Sequence, residues 1–143
     1  MPITFVTGDP LQTTAQILAF GHNARGRTEL GMIETRLMQT YPPAFAMYQR
    51  ACRAGRIRAG DIWIWRESKP QLMFMAVRES SVGATRLRYV QAVAIRLARE
   101  YPLLGIKSLA IAPLANRYEW GEIRQVLTMW LEKSRLDVTI YQP

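Results

Sequence analysis

The sequence is poor in the groups from which metal sites, disulfide frameworks and catalytic triads are built. Its 143 residues include one cysteine, Cys52, and one histidine, His22. A single cysteine excludes a disulfide within the chain, and a reducing compartment is the natural expectation. One cysteine and one histidine do not furnish a typical zinc site. No nucleophile motif surrounds Ser80, Ser81 or Cys52, so a histidine-based triad is not supported. A P-loop motif is also missing. No cofactor and no metal is therefore expected. No apolar run approaches the roughly 20 residues that cross a bilayer. The opening MPITFVTGDP lacks the basic head and long apolar body of a signal peptide. The expectation is a cytoplasmic protein with no membrane partner.

Acidic residues are scarce as well. Eleven Asp and Glu face 19 Lys and Arg, a formal net charge of +8. Arginine supplies most of the positive charge. Such a balance favours an anionic partner, namely a nucleotide, a nucleic acid or another polyphosphate, although it equally serves solubility alone. A binding surface should concentrate the charge. The densest group is Arg50, Arg53, Arg56 and Arg58, with Arg25 and Arg27 elsewhere. Guanidinium forks match phosphate oxygens well, so these four are the nucleic-acid-binding candidates, with Tyr48 as a nearby aromatic for base stacking.

What is present is a regular alternation of strand and helix signals. Ile3–Thr7 alternates and is β-branched, and Gly8-Asp9-Pro10 ends it with turn chemistry. Ile17–Phe20 is a short apolar run, as in a strand buried on both faces. Leu30, Ile33, Leu37 and Tyr41 recur at helical spacing, with Thr28 as N-cap, Glu29 in the first turn and Pro42-Pro43 as the stop. A second helix runs from Ala44 to Ala54, ended by Gly55. Asp61–Arg66 and Gln71–Val77 read as an antiparallel hairpin. A helix follows over Leu87–Tyr101, then a strand over Lys107–Ala112, a helix over Glu119–Lys133 and a strand over Leu136–Tyr141.

The order β-β-α-α-β-β-α-β-α-β predicts an α/β fold, a mixed sheet with helices on both faces. Residues 1–143 show no repeat, linker or low-complexity tract, so one domain is expected. Ligands on such sheets sit beyond the carboxyl ends of the strands. That places Gly8–Pro10, Gly21–Thr28, Arg78–Gly83 and Pro113–Tyr118 on one rim.

Order and spacing of these segments resemble a macro domain, the three-layer α/β/α fold that binds ADP-ribose. The resemblance is to the branch holding terminal ADP-ribose protein glycohydrolase and the bacterial antitoxins that remove ADP-ribose from DNA. It rests on ITFVTGDP (Ile3–Pro10), the Ile33–Pro42 helix, the hairpin of Asp61-Ile-Trp-Ile and Leu72–Val77, and Trp120 with Val138–Tyr141. The implied partner is ADP-ribose or a related nucleotide, free or carried by an ADP-ribosylated macromolecule.

Carried over position by position, the resemblance gives a divergent site. It implies that Asp9 accepts a hydrogen bond from the adenine amine, which suits an acceptor-only carboxylate. A turn aspartate before proline is the plainer alternative. Asn23 falls near an asparagine that holds the distal ribose, but it also suits an Asx turn. Gly26 belongs to the same loop. The family's Gly-x-Gly-Ile run meets Leu30 and Met32 here, with Gly31 between them. A glycine-rich loop expected after Pro113 is shortened to Leu114–Glu119, so Ala115, Asn116 and Arg117 stand where backbone would wrap phosphates.

The acidic catalytic residue of that loop has no counterpart. Asn116 and Glu119 instead have the spacing of a capping pair. Arg78 falls at the lysine used as a nucleophile. Arginine stays protonated and cannot take that part, though it can hold a phosphate or a ribose hydroxyl. The resemblance thus implies a binding module without glycohydrolase activity. The alternatives are a nucleic-acid or poly-anion binder on the same scaffold, and a glycohydrolase with its acid moved to Glu79 or Glu119.

Overall fold

A computed structural model describes residues 3–29 and 31–143. Six strands form one sheet: β1 (Ile3–Val6), β2 (Ile17–Asn23), β3 (Ile62–Trp65), β4 (Gln71–Arg78), β5 (Ser108–Ile111) and β6 (Asp137–Tyr141). Their spatial order is β1-β6-β5-β2-β4-β3. Every neighbouring pair is parallel except the β3–β4 hairpin at one edge. Four α-helices flank the sheet: α1 (Met32–Thr40), α2 (Pro42–Arg53), α3 (Leu87–Glu100) and α4 (Trp120–Leu131). The predicted mixed α/β architecture is the observed one, with element bounds shifted by a few residues.

Strand periodicity sorts the core into two layers. Ile17 and Ala19 of β2, with Met73, Met75 and Val77 of β4, face α3 and α4 and pack on Val90, Ala94, Leu97 and Leu127. Leu18 and Phe20, with Leu72 and Phe74, face α1 and α2 and pack on Leu37, Phe45 and Tyr48. The central strands are covered on both faces, which is why they read as continuous apolar runs.

Three local expectations are corrected. The first concerns β2, which does not stop at Gly21 but runs on through His22 and Asn23. Gly21 is there for closeness rather than for a turn: a Cβ on it would lie 3.0 Å from a Val77 methyl and 3.3 Å from the Arg78 guanidinium.

The second is the start of α1. It begins at Met32 with Gly31 as N-cap in extended conformation, not at Thr28, and no side chain caps it. Glu29 lies outside the helix and turns inward, while Leu30 lies outside the described residues.

The third is Tyr48, which is 1% exposed and stacked on Phe74 with ring centroids 4.3 Å apart. It belongs to the core and offers no surface for base stacking. Its hydroxyl donates to the Asn23 carbonyl at 2.8 Å, tying α2 to the end of β2.

Candidate functional site

β5, β2 and β4 are neighbours, and their carboxyl ends open on one cleft of about 470 Å³. Three segments build it. Glu29, Gly31 and Glu34 come from the β2–α1 connection and the first turn of α1. Arg78, Ser81, Gly83 and Thr85 come from the end of β4 and its following loop. Pro113, Ala115, Asn116 and Glu119 come from the loop after β5. Of the four expected rim loops, Arg78–Gly83 and Pro113–Tyr118 line it, whereas Gly21–Thr28 stops short and the residues just after it, Glu29, Gly31 and Glu34, take its place. The fourth, Gly8–Pro10, does not line the cleft, but Asp9 is fastened to α1 by Arg36.

Arg78 sits at the centre of a polar network. Its Nη2 lies 3.0 Å from Glu29 Oε1, with each side chain 11% exposed. Its Nε donates to Glu29 Oε2 at 3.3 Å. Its Nη1 donates to Thr85 Oγ1 at 2.8 Å, and that hydroxyl in turn donates to the Leu114 carbonyl at 2.8 Å. One guanidinium therefore ties the ends of β2, β4 and β5 together. Glu34 Oε1 is 3.9 Å from Nη2. The Nη2–Glu29 contact is close but misaligned, so Nη2 has no hydrogen-bond partner among the described residues.

Glu29 collects further partners. Asn23 Nδ2 donates to Glu29 Oε2 at 2.7 Å, and His22 Nδ1 is 3.4 Å from the same oxygen. Burial alone would raise the Glu29 carboxyl. His22, the Arg78 charge and the Asn23 amide outweigh it and hold the carboxyl below its ordinary value. His22 Nδ1 also accepts from the Asn23 N–H at 2.8 Å. An Nδ1 that accepts there has no proton to give Glu29, so Arg78 and Asn23 are the partners the geometry secures.

The predicted site residues divide into groups. Gly31, Arg78, Ala115 and Asn116 line the cleft. A Cβ on Gly31 would fall 1.9 Å from Glu34 Oε2, so glycine lets that carboxylate sit against the backbone. Asn116 caps its own turn, accepting from the N–H groups of Tyr118 at 3.0 Å and Glu119 at 3.1 Å. The Asn116–Glu119 pair expected as a helix cap thus closes the turn ahead of α4 instead, since α4 starts at Trp120 with Glu119 as N-cap and no side-chain cap hydrogen bond. Arg117 is exposed and does not line the cleft.

Asn23 is fully buried and spends its side chain on its own loop. Its Oδ1 accepts from the N–H groups of Arg25 and Arg27 at 3.1 and 3.0 Å, and its Nδ2 donates to the Arg27 carbonyl at 2.9 Å. The Asx-turn reading describes it, and it does not reach the cleft. Gly26 faces away as well, into a separate hollow with Arg53.

Asp9 makes a two-pronged ion pair with Arg36, Nη1–Oδ1 3.0 Å and Nη2–Oδ2 2.9 Å, and accepts from Leu11 N–H at 3.0 Å. The Arg36 hydrogen bond and the Leu11 N–H hold its carboxyl below its ordinary value. Two carboxylates missing from the sequence-based set, Glu29 and Glu34, line the cleft beside Glu119. An acid inside the otherwise basic stretch Arg25–Glu29 was the one available signal. Of the two relocated acids considered, Glu119 lines the cleft. Glu79 does not, and is held by the Tyr89 hydroxyl and by Arg88 at 3.6 Å. Among the described residues, no three His, Cys, Asp or Glu side chains cluster as metal ligands.

The chemistry open to this cleft follows from its groups. Three carboxylates face one guanidinium, so the lining is rich in acceptors for hydroxyl and amine donors. Arg78, a guanidinium, is not an amine nucleophile.

No protein-family model matches the sequence. The curated proteins it resembles are the DNA ADP-ribosyl glycohydrolases of Mycobacterium bovis and Mycobacterium tuberculosis, each 24% identical over 149 residues. The match takes in 99% of this chain but only 42% of theirs. Among solved structures, the macrodomain of Mycobacterium tuberculosis DarG superposes with a TM-score of 0.88 at 25% identity, covering 99% of this chain and 97% of that one. The macrodomain of Thermus aquaticus DarG gives 0.89 at 22% identity, covering 99% and 98%. Thermosipho africanus DarTG, solved in complex with ADP-ribose, gives 0.90 at 21% identity over 99% of this chain and 41% of that one. The chain carries the macrodomain fold.

Proposed function

We propose that this chain binds ADP-ribose or a closely related nucleotide in the cleft between β2, β4 and β5, and does not release it through a lysine nucleophile. One observation carries the reading. Where the resemblance expects a reactive amine, a permanently charged guanidinium is pinned by Glu29, Thr85 and Glu34 at the centre of the cleft. Arg78 there orients and neutralises; it does not attack. The ADP-ribose complex of a structurally similar protein, and the glycohydrolase names of the curated relatives, support ADP-ribose as the ligand.

The acids set the orientation. A diphosphate next to Glu34 and Glu119 would be repelled, whereas ribose hydroxyls can donate to both. The distal ribose therefore belongs at the Arg78 end. In this reading the adenine lies toward Asp9. Residues 1–143 act as a single binding domain in this reading.

The test is calorimetry with ADP-ribose alongside a release assay on ADP-ribosylated DNA and protein. The expected result is saturable binding with no released ADP-ribose. A second reading draws on the position of Glu119 in the cleft: release by wild-type protein that is abolished in Glu119→Gln would establish a relocated acid and overturn the binding-only reading.

A further inference from the structure

The cleft and the rest of the molecule differ in sign. The chain carries a formal net charge of +8, and Arg50, Arg53, Arg56 and Arg58, the expected nucleic-acid contacts, are exposed and stand outside the cleft. The cleft lining holds three carboxylates, Glu29, Glu34 and Glu119, and one guanidinium, that of Arg78. The Arg78 charge is matched by Glu29, 3.0 Å away. Glu34 and Glu119 are therefore in excess. Among the described residues, the one lysine or arginine nitrogen within 4.0 Å of the Glu34 carboxylate is Arg78 Nη2 at 3.9 Å, and none comes that close to Glu119.

Both excess acids stand at helix starts. Glu34 is in the first turn of α1, and Glu119 is the N-cap of α4. An acid there offsets the positive end of the helix, which is its ordinary use. That use does not account for Gly31. A Cβ at position 31 would fall 1.9 Å from Glu34 Oε2, so the glycine leaves room for the carboxylate to fold back into the lining, where its side chain is 19% exposed. A solvated helix-start acid needs no such room. The two helix ends that could have attracted an anion present negative charge to the cleft instead.

A neutral ligand group leaves this charge uncompensated. Ribose hydroxyls can donate to both carboxylates, but the diphosphate of ADP-ribose brings further negative charge to a cleft that already has an excess. A cation joined to the distal ribose removes the conflict. The cleft mouth also offers a ring. Tyr118, 96% exposed, lies in sequence between Asn116 and Glu119 of the lining, and its N–H is held by Asn116 Oδ1 at 3.0 Å. An exposed aromatic next to a carboxylate suits a planar cation, which takes the ring face and the charge together.

We propose that the cleft selects an ADP-ribose whose anomeric carbon carries a planar cation, a pyridinium as in a nicotinamide dinucleotide or a guanidinium as in an ADP-ribosylated arginine. The inference rests on the ADP-ribose reading of the cleft and adds what the distal ribose is joined to. Glu34 and Glu119 supply the charge, and Tyr118 supplies the ring.

The experiment is calorimetry on the full chain at low salt with ADP-ribose, NAD+, NADH and ADP-ribosylagmatine. NAD+ and NADH have nearly the same shape and differ in ring charge, so their affinity ratio reads that charge. NAD+ should bind about tenfold tighter than NADH, the size of exposed ion pairs plus one cation–π contact. ADP-ribosylagmatine should exceed ADP-ribose by a similar factor, and a gain for one cation only names the source. The double variant Glu34→Gln/Glu119→Gln should bring both ratios close to one. Tyr118→Leu should lower them about threefold and Tyr118→Phe should restore them; this side chain is solvent-exposed, so the fold is not at stake.

Three results overturn the inference while leaving the ADP-ribose reading in place. The first is ADP-ribose binding with NAD+ no tighter than NADH and ADP-ribosylagmatine no tighter than ADP-ribose. The second is ratios that survive in the double variant, and the third is ratios that survive in Tyr118→Leu. Absence of binding by all four ligands overturns both the inference and the reading beneath it.

Discussion

Arg78 and Glu29 lie side by side at the centre of the cleft, Nη2 to Oε1 3.0 Å, each side chain 11% exposed and 49 residues apart in sequence. The pair joins the end of β4 to the connection after β2. In the proposed reading it leaves no amine nucleophile at this position, because a guanidinium stands there.

Breaking the pair should be costly. Arg78→Ala leaves Glu29 buried with only Asn23 and His22 as neighbours, a loss of roughly 2–4 kcal/mol in urea unfolding. The double variant Arg78→Ala/Glu29→Ala should recover part of that loss, since no charge remains unpaired. A loss in the single variant below about 0.5 kcal/mol would mean the pair is solvated as surface pairs are.

The pair also makes stability depend on pH in one direction. The Glu29 carboxyl lies below its ordinary value of 4.5 in the folded chain. Its contribution is present above about pH 4.5 and is lost as pH falls through the lower folded value. Thermal unfolding followed from pH 6 downward should show this loss, and Glu29→Gln should flatten the curve. A curve of unchanged steepness in Glu29→Gln would assign the acid sensitivity to other carboxylates.

Asp9 and Arg36 give a separable test of the adenine end. Both are partly exposed, so Asp9→Ala should change the melting temperature little. It should weaken ADP-ribose binding about tenfold or more, the size of one hydrogen bond to a charged acceptor. Arg36→Ala, which frees Oδ2 and leaves Oδ1 with the Leu11 N–H, should leave binding unchanged or tighten it. Weakening in Arg36→Ala as large as in Asp9→Ala would place the ligand on the guanidinium instead.

Gly26→Ala tests the packing of the Ala24–Thr28 loop, with Gly26 at φ +68, on α2. Left-handed backbone costs a non-glycine residue about 1–2 kcal/mol, and the new methyl would press on Gln49 and Cys52. Reduced stability with faster iodoacetamide labelling of Cys52 is expected. Wild-type stability with unchanged labelling would show the loop free to move off the helix.

How much of this was legible in the sequence follows from the range of each interaction. Strands and helices were readable because their signals are local: the Ile17–Phe20 run, the Pro42-Pro43 stop, and the Leu87–Tyr101 periodicity. The bounds slipped where a distant contact overrode local preference. Gly21 reads as a turn but is a strand residue made small by Val77 and Arg78. Glu29 reads as a helix-start acid, yet a guanidinium on β4 draws it inward. Asp9 with Arg36, and Arg25 and Arg27 with Arg53 around the Gly26 hollow, are brought together only by the packing of α1 and α2. Such pairs carry no periodicity, so the cleft was located by topology while its acids were not.

The most direct test of the central claim is a calorimetric titration of wild-type protein with ADP-ribose. The account predicts one saturable site in the micromolar range, with ADP-ribose recovered unaltered. Absence of heat up to millimolar ADP-ribose would contradict it.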